Sequence, residues 1–367
     1  MRSRSVVRSA VSLLCLFIAG AFALVCAGAP ARRVRHARRV HRAPQPYDPA
    51  KADVIGNDDP VIRELAIQAL GHEKGSVLAM DPNTGRILTI VNQKLAFSAG
   101  FEPCSTTKPI IAIAGLQEGV IKDDTMLRVG YRRYMDLTEA LAHSNNQFFE
   151  DVGAKLGFDR VMKYERLFGL GERTSTNIPD EQPGSLPTRP PLWGGVARMS
   201  SFGEGIRITP FQLALVVSTL ANGGTEYWLQ YPRTEQEVAD FQPRVRRQLD
   251  IAPLLPQLRE GMLAAVLYGT AKRSFDPADG EEEFGKTGTC NDERVGGRLG
   301  WFVSYADQAH PKIVIVVLLH GGARIISGPH ASEIAGRIYH GLYEHNYFAD
   351  VGRTEPTYAS SADNSSR

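Results

Sequence analysis

Short apolar, β-rich runs lie near both ends of the central region of the chain, and apolar positions recur at helical spacing between them. Ser76–Met80 and Arg86–Val91 read as two strands. The turn between them, Asp81-Pro82-Asn83-Thr84-Gly85, opens with Pro and closes with Gly. Leu299–Tyr305 and Lys312–Leu319 are two further β-rich runs near the other end. The middle is mostly helical. Thr209-Pro210 opens a run to Ala221 with Thr as N-cap and Pro at the first helical position, closed by Asn222-Gly223-Gly224. Ile251–Ala271 and Ala331–Glu344 carry the apolar spacing of further helices. Strands at both ends around a helical middle predict an α/β domain in which one sheet is completed by both ends, with an inserted, mainly helical subdomain.

Composition alters this picture mainly at the N-terminus. The chain has 367 residues, 43% hydrophobic and 22% charged, with a net charge of only +2, so nothing global points to nucleic acid. Ser9 to Ala31 contains no charged residue and follows a basic leader, residues 1–8, with Arg2, Arg4 and Arg8. That stretch is long enough to cross a bilayer, which takes about 20 apolar residues. It reads as an uncleaved anchor, or alternatively as a signal cut near Ala27-Gly28-Ala29. Arg32, Arg33, Arg35, Arg38, Arg39 and Arg42 follow; they form a solvated basic arm or a contact with anionic lipid headgroups, and they oppose the usual positive-inside bias. Residues 32–60 read as a linker, 61–350 as the folded domain and 351–367 as a disordered tail.

Short motifs carry the chemistry. Ser105-Thr106-Thr107-Lys108 places a serine and a lysine three apart, on one face of a helix. Serine needs a nearby base to act as a nucleophile, and a lysine with a lowered pKa can be that base. Alone, the pattern is equally a helix start capped by Ser105. Ser144-Asn145-Asn146, after Leu137–His143, has the look of an ordinary interhelical loop. Lys286-Thr287-Gly288-Thr289 would by itself be an edge strand with a solvated lysine. No Cys or His spacing suggests a metal.

In this order the motifs resemble the Ser-x-x-Lys, Ser-x-Asn and Lys-Thr-Gly set of the penicillin-binding proteins and the serine β-lactamases that share their fold. Glu102-Pro103-Cys104-Ser105-Thr106-Thr107-Lys108-Pro109 is similar to the nucleophile segment of penicillin-binding proteins, which usually has Gly where Cys104 stands. Ala79–Leu88 looks like their first hairpin, Gly203–Ala214 like their Gly-Gln-Gly…Thr-Pro-x-Gln segment with Glu204 in place of Gln, and Gly300–Tyr305 like the strand after Lys-Thr-Gly. The likeness runs over about residues 70 to 345 and implies an antiparallel sheet.

The resemblance implies a peptidoglycan D-alanyl-D-alanine transpeptidase or carboxypeptidase that also reacts with β-lactams. Ser105 would attack the carbonyl, Lys108 would take its proton, and Ser144 would help protonate the leaving amine. Asn146 would hydrogen-bond the substrate amide, while Lys286, Thr287 and Thr289 hold the terminal carboxylate; Gly288 completes that motif. The backbone amides of Ser105 and Thr289 would form the oxyanion hole. No cofactor or metal is implied. Stem peptides and β-lactams would be the partners, with the domain outside a bacterial inner membrane. A β-lactamase remains open, with Glu181 the one loop acid to nominate as its deacylating base, as does a non-catalytic β-lactam sensor or scaffold. Some class A carbapenemases carry a disulfide between positions matching Cys104 and Cys290. An oxidising exterior and the expected closeness of Ser105 to Thr289 fit the same bond here, the alternative being two free thiols packed behind the site.

Overall fold

A computed structural model describes residues 46–279, 282–292, 296–306, 311–322 and 325–348. The expected anchor at 9–31, the basic arm and the tail at 351–367 lie outside these residues. Five strands form one antiparallel sheet: β1 (Gly75–Met80), β2 (Ile87–Val91), β3 (Glu283–Asp292), β4 (Gly297–Ala306) and β5 (Ile313–Gly321). Their spatial order is β2-β1-β5-β4-β3. Both ends of the domain therefore complete one sheet, and the seam is β1 against β5, where Val77 pairs with Val317.

Helices α1 (Pro60–Leu70), α2 (Lys108–Gln117), α3 (Leu137–Ala142), α4 (Asn146–Leu156), α5 (Gly195–Phe202), α6 (Pro210–Ala221), α7 (Leu255–Leu267) and α8 (Gly328–Glu344) surround the sheet. Strand side chains alternate between two cores, as the period of two requires. Val77, Ala79, Phe302, Ile315 and Val317 pack with Ile62, Ala66, Ile334 and Ile338 of α1 and α8. Leu78, Met80, Trp301, Val303 and Val316 join the larger core of the helical body, which includes α2 and α6.

The helix ends follow their capping chemistry. Thr209 and Gln212 form a reciprocal capping box at α6. The run predicted to begin at Ala331 starts at Gly328, because Ser327 accepts the His330 N–H and Pro329 sits in the first turn. The run predicted over Ile251–Ala271 is helical only over Leu255–Leu267, since Ala252–Leu254 forms a tighter 3-10 turn. Residues 46–59, read from the sequence as the end of a linker, lie against α1. There Asp53 and Asp58 each pair with Arg63 at 3.0 Å, both carboxylates almost fully buried.

Candidate active site

Ser105 is fixed by a turn pressed against the outer strand of the sheet. Cys104–Thr107 form one 3-10 turn ahead of α2, and Cys104 has φ +54°, a left-handed conformation that favours glycine. Here a cysteine adopts it and is bonded to Cys290 of β3, with Cα atoms 5.6 Å apart. The contact leaves no room at Gly288: a Cβ there would lie 2.9 Å from the Pro103 carbonyl oxygen and 3.0 Å from Thr106 Cγ2. Trp301 of β4 braces the same loop, its Nε1 donating to the Glu102 carbonyl at 2.9 Å. Ser105 is not the helix cap. The capping position of α2 falls to Thr107, which makes no side-chain capping bond, and Ser105 Oγ instead donates to the carbonyl of Ser201 in α5 at 3.3 Å.

Lys108 opens α2 and is fully buried. Its Nζ donates to the Ser144 carbonyl at 2.7 Å, to Ser144 Oγ at 3.2 Å and to Asn146 Oδ1 at 2.7 Å. The chain between α3 and α4 makes this possible. Ser144 takes φ +52°, Asn145 caps α4 by accepting the Phe148 N–H at 3.0 Å, and Asn146 is the first helical residue. The tripeptide is an interhelical turn, as its composition suggested, and the residues on either side of the cap face the lysine.

Lys286 lies on the edge strand β3, yet it is fully buried rather than solvated. Its Nζ donates to Ser144 Oγ at 2.8 Å and to the Thr287 carbonyl at 2.9 Å. Burial brings its pKa down to about 7. Lys108 is held well below the ordinary lysine value, first by burial and then by the charge of Lys286, with Glu150 opposing. Thr287 Oγ1 pairs with Thr270 Oγ1 at 2.7 Å, and Thr289 Oγ1 accepts the Gly328 N–H at 2.7 Å while keeping its own proton to donate. The arrangement offers a hydroxyl, a low-pKa amine and a second cation beside an open strand edge. Such a set suits acyl transfer.

Glu181 lies elsewhere in function. It is buried and accepts from the backbone and hydroxyl of both Thr174 and Ser175, between 2.5 and 2.8 Å, so it clamps its own loop. Two residues absent from the motif reading stand close to the site: Ser201, already described, and Glu150, which accepts from Ser201 Oγ at 3.2 Å. The spacing of Glu150, four residues after Asn146 on one helical face, was the available signal.

Residues 75–340 match the family model "Penicillin binding protein transpeptidase domain". The stage V sporulation protein D of Bacillus subtilis is 26% identical over 324 residues, covering 74% of this chain and 49% of that protein. The peptidoglycan D,D-transpeptidase FtsI of Escherichia coli K12 is 29% identical over 197 residues, covering 45% and 33%. The chain thus spans about half the length, or less, of these curated relatives. A crystal structure of the D,D-transpeptidase domain of a peptidoglycan glycosyltransferase from Eggerthella lenta shares the fold, with TM-score 0.64, 20% identity, and coverage of 78% of this chain and 82% of that one. With the three motifs brought together by hydrogen bonds and a matched region spanning most of the chain, this protein belongs to the penicillin-binding protein transpeptidase domain family.

Proposed function

We propose that this chain is a serine acyltransferase that cleaves the D-alanyl-D-alanine end of peptidoglycan stem peptides, passing the acyl group to an amine or to water, and that β-lactams acylate it at Ser105. The observation that carries the reading is the convergence of Lys108, Ser144, Asn146 and Lys286 through hydrogen bonds behind Ser105. Ser105 Oγ attacks the penultimate carbonyl and its proton passes to neutral Lys108. The oxyanion is met by the backbone amides of Ser105 and Thr289. Collapse breaks the peptide C–N bond, Ser144 relays a proton to the departing amine, and an ester on Ser105 remains. Asn146 holds the substrate amide. The Thr287 and Thr289 hydroxyls take the terminal carboxylate, with Lys286 supplying charge from beneath.

The names of the relatives, peptidoglycan D,D-transpeptidases among them, support this substrate class. The engagement of Glu181 with its own loop favours peptidyl transfer over β-lactam hydrolysis. In this account residues 9–31 tether the domain to the outer face of the bacterial inner membrane. No helix among the described residues is long and apolar enough to cross one.

The test is product analysis. The exported domain, mixed with a pentapeptide ending in D-Ala-D-Ala, should release free D-alanine, and adding an amine acceptor should divert acyl product from the tetrapeptide to the cross-linked peptide. No D-alanine release by protein that binds the peptide would overturn the proposal.

A further inference from the structure

The nucleophile is connected to a carboxylate that no motif includes. Helices α4 and α5 approach closely at Gly153, where a Cβ would lie 2.0 Å from Ser200 Oγ. Nearly one turn earlier on α4, that approach brings Glu150 to Ser201, whose hydroxyl donates to Glu150 Oε1 at 3.2 Å and, more weakly placed, to the Arg198 carbonyl at 3.4 Å. The carbonyl of the same Ser201 accepts from Ser105 Oγ at 3.3 Å. Asn146, one turn before Glu150 on the same helix, holds Lys108. We propose that Glu150 is a positioning residue that couples the Ser105 hydroxyl, through Ser201, to the charge on Lys108.

The charges around this pair come from several elements. Lys286 on β3 faces Lys108 as a like charge and Glu150 faces it as an opposite one. Arg198 on α5 is ion-paired with Glu204 at 2.5 Å and also feels Glu150 and Glu102. Glu150 therefore opposes Lys286: it favours the protonated amine, where Lys286 favours the neutral base. Glu150 thus raises the lower pH limit at which the base can work.

This inference rests on acylation of Ser105 as proposed above. The experiment measures the rate of labelling by a fluorescent penicillin across pH for the wild type, Glu150→Gln and Glu150→Asp. Gln keeps an acceptor for Ser201 and removes the charge. Its acid limb should move measurably to lower pH, because Lys108 then loses its proton more readily. Asp keeps the charge, so its limb should stay with the wild type. A Gln limb that coincides with the wild type overturns the inference while leaving acylation intact. A wild type that takes no label overturns the acylation reading and this inference together.

Discussion

Lys108 and Lys286 meet at one atom: Ser144 Oγ lies 3.2 Å from Lys108 Nζ and 2.8 Å from Lys286 Nζ. Both amines are fully buried, so two charges there would repel each other without water to screen them. Their titration belongs to the pair. In the proposed function one member stays neutral as base while the other carries charge toward the substrate carboxylate, and the shared hydroxyl is the path for a proton between them.

Removing Lys286 should therefore have a signed effect on pH dependence. Its cation depresses the pKa of Lys108, so in Lys286→Ala the base needs a higher pH to be neutral. Acylation by a fluorescent penicillin should slow by about a hundredfold or more, with its optimum displaced upward. An unchanged rate and pH profile would return Lys286 to a structural role.

The disulfide and the left-handed Cys104 can be separated by substitution. The bond closes a separation of 186 residues, for which chain entropy predicts stabilisation of up to about 5 kcal/mol, with measured effects often smaller. Cys104→Ser with Cys290→Ser should lower the melting temperature. Cys104→Gly with Cys290→Ser should recover about 1 kcal/mol of the loss, because glycine accepts φ +54° without strain. Equal stability of the two double variants, by chemical denaturation, would contradict this reading of the turn.

Gly288 is a steric requirement. In Gly288→Ala the new methyl would press on the Pro103 carbonyl and Thr106, pushing the Ser105 turn off β3. Penicillin labelling should fall by at least about tenfold while the far-ultraviolet circular dichroism stays native. Wild-type labelling would show that the turn moves aside at no cost.

Away from the site, Glu165 is completely buried with neither carboxyl oxygen hydrogen-bonded among the described residues, and burial raises its pKa to about 8. The native state keeps this proton up to about pH 8, whereas the unfolded chain releases it above about 4.3. Stability should thus decline across that window as pH rises. Glu165→Gln should match the wild type near its lower end and melt several degrees higher near its upper end. Parallel curves would place a charge-compensating partner beside Glu165.

Much of this was legible in the residues. Short β-rich apolar runs located four of the five strands, and the capping residues located α6. The burial of Lys286 was not legible, because it depends on Ser144 arriving from a segment 142 residues away. Spacing put Glu150 on the face of Asn146, but its meeting with Ser201 was not legible, since that depends on how closely α4 and α5 pack at Gly153. The engagement of Glu181 was not legible either: an acid in a loop looks available until the loop's own backbone amides are found to occupy it. Local pattern reports the elements, whereas the site is made by contacts between them.

Acylation of Ser105 underlies every step proposed above. The most direct test is intact-protein mass spectrometry after incubation with benzylpenicillin, followed by peptide mapping of any adduct. One stable adduct is expected, its mass increased by that of the whole antibiotic because opening the lactam ring expels no fragment, mapped to the peptide containing Ser105. Ser105→Ala should carry no adduct and melt within about a degree of the wild type, since one small buried side chain replaces another. An adduct on Ser105→Ala formed at the wild-type rate, or mapping to another residue, would rule out Ser105 as the nucleophile.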